Sequence, residues 1–376
     1  MQEIKKRRIV LASILKPVND PRMFEKLATT LAPHYEVHVI GHSTRQVTNS
    51  ENITQHTIGP FDRISLVRLL SSFAVLRKIL QLRPLMLIVC THELLFVGIL
   101  AKMITGCRIV YDIQENYARN IYYGKAFPLL LRPVLAAYVR LKELTLSRMY
   151  HHFFLAEKLY QRELAFIRHR CTILENKVKQ DHFVRHNRNN DSDSIQLLFS
   201  GTIADTTGVF TAIDVATRLH AVDSRVHLVV IGFAAQTSIR SRLISEVKGK
   251  SFIELKGIDH IIQHEDIREA INASDFGVIS YPRNRSTEGS MPTKLYEYLG
   301  CQLPILLIDH QPWVAYCKIY PAAVVFDPGH LNPERLMCEM EQTHFYQRIP
   351  TDVYWEPEGE KLLDSTLEIL SATSER

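Results

Sequence analysis

In the stretch STEGSMPTKLYEYLG, Ser286–Gly300, Pro292 opens a helical spacing on which Lys294, Glu297 and Tyr298 fall, and Gly300 closes it. A lysine and a glutamate three positions apart share one helix face, so the pattern has two chemical readings. One is a capped surface helix whose ion pair contributes a few tenths of a kcal/mol. The other is a site for a phosphorylated, hydroxyl-rich ligand. A helix start offers unpaired N–H groups and the positive dipole end to an anion, and a carboxylate can accept two hydroxyl protons at once. Pro292 suits a first helical position because its missing N–H would be unpaired there anyway. Gly289, ahead of it, allows close backbone approach.

Other residues able to do chemistry sit where strands are expected to end. His92 follows the apolar run LMLIVC, and Gln114 and Glu115 follow RIVYDI. Asp20 and Arg22, in NDPRM, fall on the first loop, within reach of a ligand there. The first strand runs into SILKPVNDPRMFEK with no GxGxxG, which argues against a dinucleotide-dependent dehydrogenase. No phosphate-binding GxxxxGK loop is present either.

Positioning these groups requires a large framework, and the chain has the length for it. Its 376 residues suffice for two or three domains, and 46% hydrophobic with 23% charged residues is ordinary for a globular protein. The balance of 45 basic against 40 acidic residues leaves a net charge of +5, too mild for a nucleic-acid binder but suited to anionic small molecules or an anionic membrane surface. Six scattered cysteines without a CxxC pair read as free thiols, mostly buried, in a reducing compartment. The N-terminal IVLASIL is too short and lacks the cleavage site of a signal peptide; it reads as a buried strand. No apolar run reaches the ~18 residues of a membrane span.

Short β-branched runs alternate with amphipathic ones throughout. Strands are predicted at 8–14, 36–41, 86–90, 108–113, 152–156 and 172–174, with helices over 22–32, 64–81, 93–105, 129–149 and 157–168 between them. The polar segment VKQDHFVRHNRNNDSDSIQ interrupts the pattern, which then restarts with IQLLFSG and runs to PILLID. This is an α/β chain of two doubly wound Rossmann-like domains facing across a cleft: 1–178, a linker over 179–194, 195–350, and a C-terminal helix in 351–376 that packs back on the first domain. Ligands of such sheets bind at the carboxyl ends of the strands.

The second half resembles the nucleotide-sugar-binding domain of glycosyltransferase family 4, the glycosyl group 1 transferases of GT-B architecture. The resemblance covers most of Gln196–Asp309, through LLFSGTIADTTGVFTAIDVATRL, LVVIG, IELKGI, IREAINASDFGVISY and MPTKLYEYLGCQLPILL. The first half is similar more weakly, in NDPRMFEKLATTLAPHYEVHVIG, VYDIQENY, FFLAEKLYQREL and TILENKV. The resemblance implies that Glu297 bonds the ribose hydroxyls and that the diphosphate lies over the helix start, at Gly289, Ser290, Met291, Pro292, Thr293 and Lys294. Gly201 and Thr202 would face the diphosphate, and Gly257 and Ile258 the base. His92, Gln114 and Glu115 would serve the reacting sugars. Tyr298 and Leu295 are expected in the core. The chain departs from the family where a basic residue and a lysine usually accompany the first glycine; here Thr202 and Thr207 stand. Lys294, Arg283 and Arg285, with threonine hydroxyls, are then left to meet the phosphate charge. Gln114 stands where the family often has histidine.

The activity implied is sugar transfer from a nucleotide-diphosphate sugar to a glycan or glycolipid hydroxyl, retaining and independent of metal or other cofactor, in cell-surface polysaccharide or glycoconjugate biosynthesis. The linker's Asp191-Ser192-Asp193 matches an acidic motif by which many metal-dependent sugar transferases hold a cation, but its solvated low-complexity setting argues against a metal site. An epimerase of the same architecture and a silent nucleotide-binding relative are the alternatives. Between Arg119 and Tyr150 six basic residues face one acidic residue amid Leu, Tyr and Phe. Such a segment either lies on an anionic membrane or packs as a helix with a basic outer face. Location in the cytoplasm, at or near the inner membrane face, follows from these readings.

Overall fold

The computed structural model describes residues 7–42, 51–59, 66–124, 127–180, 193–284 and 289–372, with 66–70 described in backbone only. The linker expected over 179–194 therefore lies largely outside the described residues, as do Arg285, Asp191 and Ser192. The chain forms two compact units, 1–176 with 355–376, and 177–354.

Unit 1 is built on a seven-stranded, wholly parallel sheet in the order β3-β2-β1-β4-β5-β6-β7. Its strands are β1 (Arg8–Pro17), β2 (Glu36–His42), β3 (Ile53–Ile58), β4 (Met86–Val89), β5 (Arg108–Ile113), β6 (His152–Leu155) and β7 (Cys171–Ile173). In register, Ile9–Ala12 pair with Val37–Ile40 on one side and Met86–Val89 on the other. The helices are α1 (Thr29–Leu31), α2 (Leu66–Leu82), α3 (Leu95–Thr105), α4 (Tyr117–Tyr123), α5 (Arg132–Leu146) and α6 (Tyr160–Glu163). Central strands such as MLIV are buried on both faces, as parallel sheets covered by helices require.

The elements depart from the sequence pattern in identifiable ways. Strand β3, ITQHTI, escapes apolar-run reading because it is an edge strand paired only with β2 and half-solvated. The first helix is π-wound over Pro21–Ala28, its start capped by Asp20, whose carboxylate accepts from the Arg22 and Met23 amides. Helix α4 exists because the Asn116 side chain accepts from the Arg119 amide. The helix predicted over 157–168 shrinks to α6, and the chain then turns through Arg168 at φ 52°.

Unit 2 carries a six-stranded parallel sheet, β10-β9-β8-β11-β12-β13. Its strands are β8 (Ile195–Ser200), β9 (Val226–Ile231), β10 (Ile253–Lys256), β11 (Phe276–Ile279), β12 (Ile305–Ile308) and β13 (Ala323–Phe326). Its helices are α7 (Val209–Val222), α8 (Thr237–Val247), α9 (His264–Asn272), α10 (Thr293–Gly300), α11 (Gln311–Cys317) and α12 (Pro333–Gln342). The order reverses between β8 and β11, and ligands of open α/β sheets bind at that switch point. The last helix, α13 (Glu356–Ser371), belongs to unit 1: Trp355 Nε1 donates to Thr30 Oγ1 at 2.9 Å, and the Ser365 and Thr172 hydroxyls bond at 2.7 Å.

Unit 1 closes over a buried ion pair. The Arg22 guanidinium grips Asp112 through Nη2 at 2.7 Å and Nε at 3.0 Å, and its Nη1 donates to the Leu174 carbonyl at 2.8 Å. Burial pulls the Arg22 pKa down, but the Asp112 charge and hydrogen bonds outweigh it and the net shift is upward. Removing one partner strands a buried charge, whereas removing both does not. Asp112→Asn should lose about 3–5 kcal/mol in urea unfolding, and Arg22→Leu combined with Asp112→Leu should lose much less; equal losses would show that the pair is not what holds this corner.

Candidate functional site

The site is organised around β8, α10 and the two loops that part at the switch point of unit 2. Tyr298 ties α10 to the sheet, its hydroxyl 2.9 Å from Ser200 Oγ, and both Tyr298 and Leu295 are fully buried. The loop after β8 begins with Gly201 at φ 89°, where a Cβ would stand 3.0 Å from Lys294 Cε. It ends at Gly208, at φ 81°, where a Cβ would overlap the Ser280 carbonyl oxygen. Ser280 Oγ in turn donates to the Gly208 carbonyl at 2.8 Å, so the loops after β8 and β11 are locked together. Helices α7 and α10 both begin on this carboxyl side of the sheet.

Lys294 lies at the centre. It is 5% exposed and its ammonium has no hydrogen-bond partner among the described residues. Nζ lies 4.0 Å from the Phe199 ring centroid and 5.4 Å from that of Tyr281, so aromatic faces stand where hydrogen-bond partners would. Burial pushes its pKa down to about 7, with Glu297 offsetting part of the effect. The residue also occupies the first turn of α10, where the helix dipole opposes a cation. Its setting departs from the surface ion-pair reading: Lys294 is not an exposed partner of Glu297.

Glu297 turns elsewhere. Its Oε1 is 3.3 Å from His264 Nε2, at the start of α9, and the carboxylate is 14% exposed. His264 is part of the site although nothing in its local sequence signals it; only the fold brings α9 beside α10. Pro292 sits one position earlier than expected, as the cap residue at φ −63° and ψ 137°, so Thr293 is the first helical residue. Ser290 is pinned by its carbonyl to Trp313 Nε1 at 2.8 Å, and Trp313 stacks on His310 with centroids 3.7 Å apart. Met291 packs against the core of unit 2. Gly289 borders residues 285–288, outside the described set.

The remaining candidates are placed as follows. Thr202 is exposed at the loop, whereas Thr207 Oγ1 donates within the loop to the Thr202 and Ala204 carbonyls, each at 2.9 Å. Its hydroxyl therefore holds the loop's shape and is not presented to a ligand. Arg283, expected to help with phosphate charge, is clamped to Asp309 through its carbonyl and carboxylate. Arg242 reaches the loop from α8, but Asp205 pairs with it at 2.9 Å. Gly257, at φ 67°, and Ile258 end β10, with Ile262 folded over the glycine.

In unit 1, the Lys142 ammonium donates to His92 Nδ1 at 2.9 Å, which puts the ring proton on Nε2, and the ring meets Tyr117 edge-on. Gln114 Nε2 donates to Asp112 at 2.9 Å, and Glu115 meets Lys16 at 3.5 Å and Asn120 at 3.2 Å. Arg22 is committed to Asp112 and only 3% exposed, and the Asp20 carboxylate is engaged as a helix cap. No group of His, Cys, Asp and Glu side chains that could hold a metal occurs among the described residues.

No protein-family model matches the sequence. No curated protein matches it either. Solved structures match along nearly the whole chain. Sucrose-phosphate synthase (tll1590) from Thermosynechococcus elongatus superposes with a TM-score of 0.74 at 12% identity, over 98% of this chain and 100% of that one. Anabaena Alr3699/HepE, in complex with UDP and glucose, gives 0.66 at 12% identity over 98% and 100%. An α,α-trehalose-phosphate synthase (UDP-forming) from Burkholderia vietnamiensis gives 0.59 at 12% over 97% and 96%. The two parallel sheets, of seven and six strands, are thus those of the GT-B glycosyltransferase fold.

A buried, unpaired ammonium destabilises the unliganded protein, and this gives a test with a definite sign. Because the folded-state pKa is about 7, below the ordinary lysine value, the unfolded chain binds more protons above neutrality. The contribution of Lys294 to stability therefore improves as pH rises from 7 towards 10. Lys294→Met should raise Tm at pH 7 by roughly 2–4 °C for each kcal/mol recovered and remove that part of the pH dependence. A lower Tm for the variant would show that the ammonium is satisfied after all.

Proposed function

We propose that this protein is a glycosyltransferase of the family 4 type, moving a sugar from a nucleotide-diphosphate sugar to a hydroxyl of a glycan or glycolipid acceptor. The observation that carries the reading is the buried Lys294 ammonium at the start of α10, without a hydrogen-bond partner among the described residues and one turn from Glu297. A diphosphate supplies the charge that Lys294 lacks, and the helix N–H groups add hydrogen bonds to the same anion. Glu297, poised by His264, accepts the two hydroxyls of a vicinal diol such as ribose. Gly201 and Thr202 border the diphosphate, and Gly257 and Ile258 the base. Charge on the departing diphosphate is met by Lys294 and the helix start without a metal, and transfer retains anomeric configuration. UDP is the first nucleotide to try, since the Anabaena structure contains it and the Burkholderia synthase forms it. His92, Gln114 and Glu115 are the acceptor-side groups, and the basic, apolar segment 119–150 supports an acceptor carried at a membrane, in glycoconjugate biosynthesis.

A silent, nucleotide-binding relative is the second reading. It is favoured by the commitment of Thr207, Arg283 and Arg242 to intramolecular partners, which leaves Lys294, among the described residues near the loop, as a cation without an acidic partner in hydrogen-bond contact.

Thermal-shift titration with UDP, GDP and their sugars distinguishes the outcomes. A ligand at about a hundred times its dissociation constant adds about 2.7 kcal/mol of stability. Glu297→Ala should weaken nucleotide binding by roughly tenfold to a hundredfold, the contribution of hydrogen bonds to a charged acceptor. If no nucleotide stabilises the wild type, the donor-site reading fails; binding without transfer to any acceptor supports the silent relative.

A further inference from the structure

Several basic residues of unit 1 meet at the carboxyl end of α5. A cavity of about 410 Å³ is lined there by Leu144, Arg148, Ala165, Phe166, Arg168 and Arg170. Three arginines thus line one cavity and, among the described residues, no acidic one does. Among the described residues, none of the three arginines pairs with an acidic side chain. Arg170 donates instead to the Tyr150 carbonyl at 2.6 Å and covers the Phe153 ring. Two further cations, Lys102 and Arg108, belong to the same field. Burial lowers the Lys102 pKa, and repulsion from Arg108 and Arg170 lowers it further.

The cavity adjoins an apolar surface. Leu144, one of its walls, is 39% exposed, and the same helix shows Val134, Tyr138 and Leu141 at 66%, 61% and 62%. Leu129, Leu130 and Leu131, just before α5, are 72%, 88% and 52% exposed. Helix α3 lies alongside, joined by the Lys102 ammonium donating to the Met149 carbonyl at 2.8 Å, and it exposes Phe96, Met103 and Ile104 at 58%, 73% and 64%. The one acidic residue between 119 and 150, Glu143, is buried against Tyr111 and Arg140 and offers no surface charge. Ten exposed large apolar side chains on two neighbouring helices and the turn before α5 are more than a surface that meets only water ordinarily gathers in one region.

We infer that the three-arginine cavity binds the phosphate headgroup of an anionic phospholipid while the exposed side chains of α3 and α5 rest in the interfacial layer of the same leaflet. Guanidinium forks match phosphate oxygens in pairs. Leucine, phenylalanine and tyrosine supply interfacial burial, and basic residues supply attraction to anionic lipid. The surface lies wholly in unit 1 and is independent of nucleotide binding in unit 2.

Flotation of the full chain with phosphatidylcholine vesicles, with and without phosphatidylglycerol, tests this. The wild type should float only with the anionic vesicles. Arg148→Glu combined with Arg168→Glu, two exposed positions, should weaken binding at least about tenfold, as should Leu130→Ser combined with Leu141→Ser and Met103→Ser. Both variants should keep the wild-type Tm and UDP response. Leu130→Trp should be quenched by brominated lipid, while the native Trp313 and Trp355, each 1% exposed, are not. Binding to neutral vesicles alone, unchanged binding by the arginine variant, saturation of the cavity by millimolar inorganic phosphate without lipid, or a dimer dissolved by the leucine variant would each overturn the inference.

Discussion

The structure turns on one interaction that the protein alone does not complete. The Lys294 ammonium is buried between the Phe199 and Tyr281 rings, at the start of a helix whose dipole opposes it and without a hydrogen-bond partner among the described residues. Burial, the helix dipole and the missing hydrogen bonds disfavour the charge, and the two ring faces and Glu297 offset this only in part. The surroundings nevertheless hold it in place: Gly201 leaves room for its stem, Tyr298 anchors the helix on β8, and the Ser280–Gly208 contact fixes the two loops. Such a group is stabilised when an anion arrives, and the proposed diphosphate supplies one.

Unit 1 handles the same problem in the opposite way. Arg22 is as buried as Lys294, but Asp112 meets it in paired hydrogen bonds from Nε and Nη2, and the Leu174 carbonyl accepts from Nη1. Its charge is therefore structural. The comparison shows why burial alone does not mark a site; burial without a partner does. Glu297 is intermediate, held by His264 but still partly open.

Much of this arrangement was legible in the sequence, because parallel strands buried on both faces leave continuous apolar runs. IQLLFS, VHLVVI and ILLI could be read directly, and their alternation with helices gives the doubly wound topology. The order of motifs around MPTKLYEYLG singled out Lys294 and Glu297. What the sequence could not show is environment. The spacing of Lys294 and Glu297 suggested mutual pairing, yet the helix turns one into the core and the other towards His264. Arg22 on the first loop and Arg283 near the site looked available, but Asp112 and Asp309 claim them. Strand β3 and helix α4 were missed because an edge strand need not be apolar and a capped short helix has too few turns to show a period.

The central claim is that Lys294 awaits an anion and takes up a proton when it arrives. The direct measurement is calorimetric titration of UDP near pH 8 in buffers of different ionisation enthalpy, which counts protons bound with the nucleotide. With a free-protein pKa of about 7, raised by the bound diphosphate, net uptake of a large fraction of one proton is expected, and Lys294→Met should abolish it. Nucleotide binding with no proton uptake, or uptake that survives the substitution, would contradict the account.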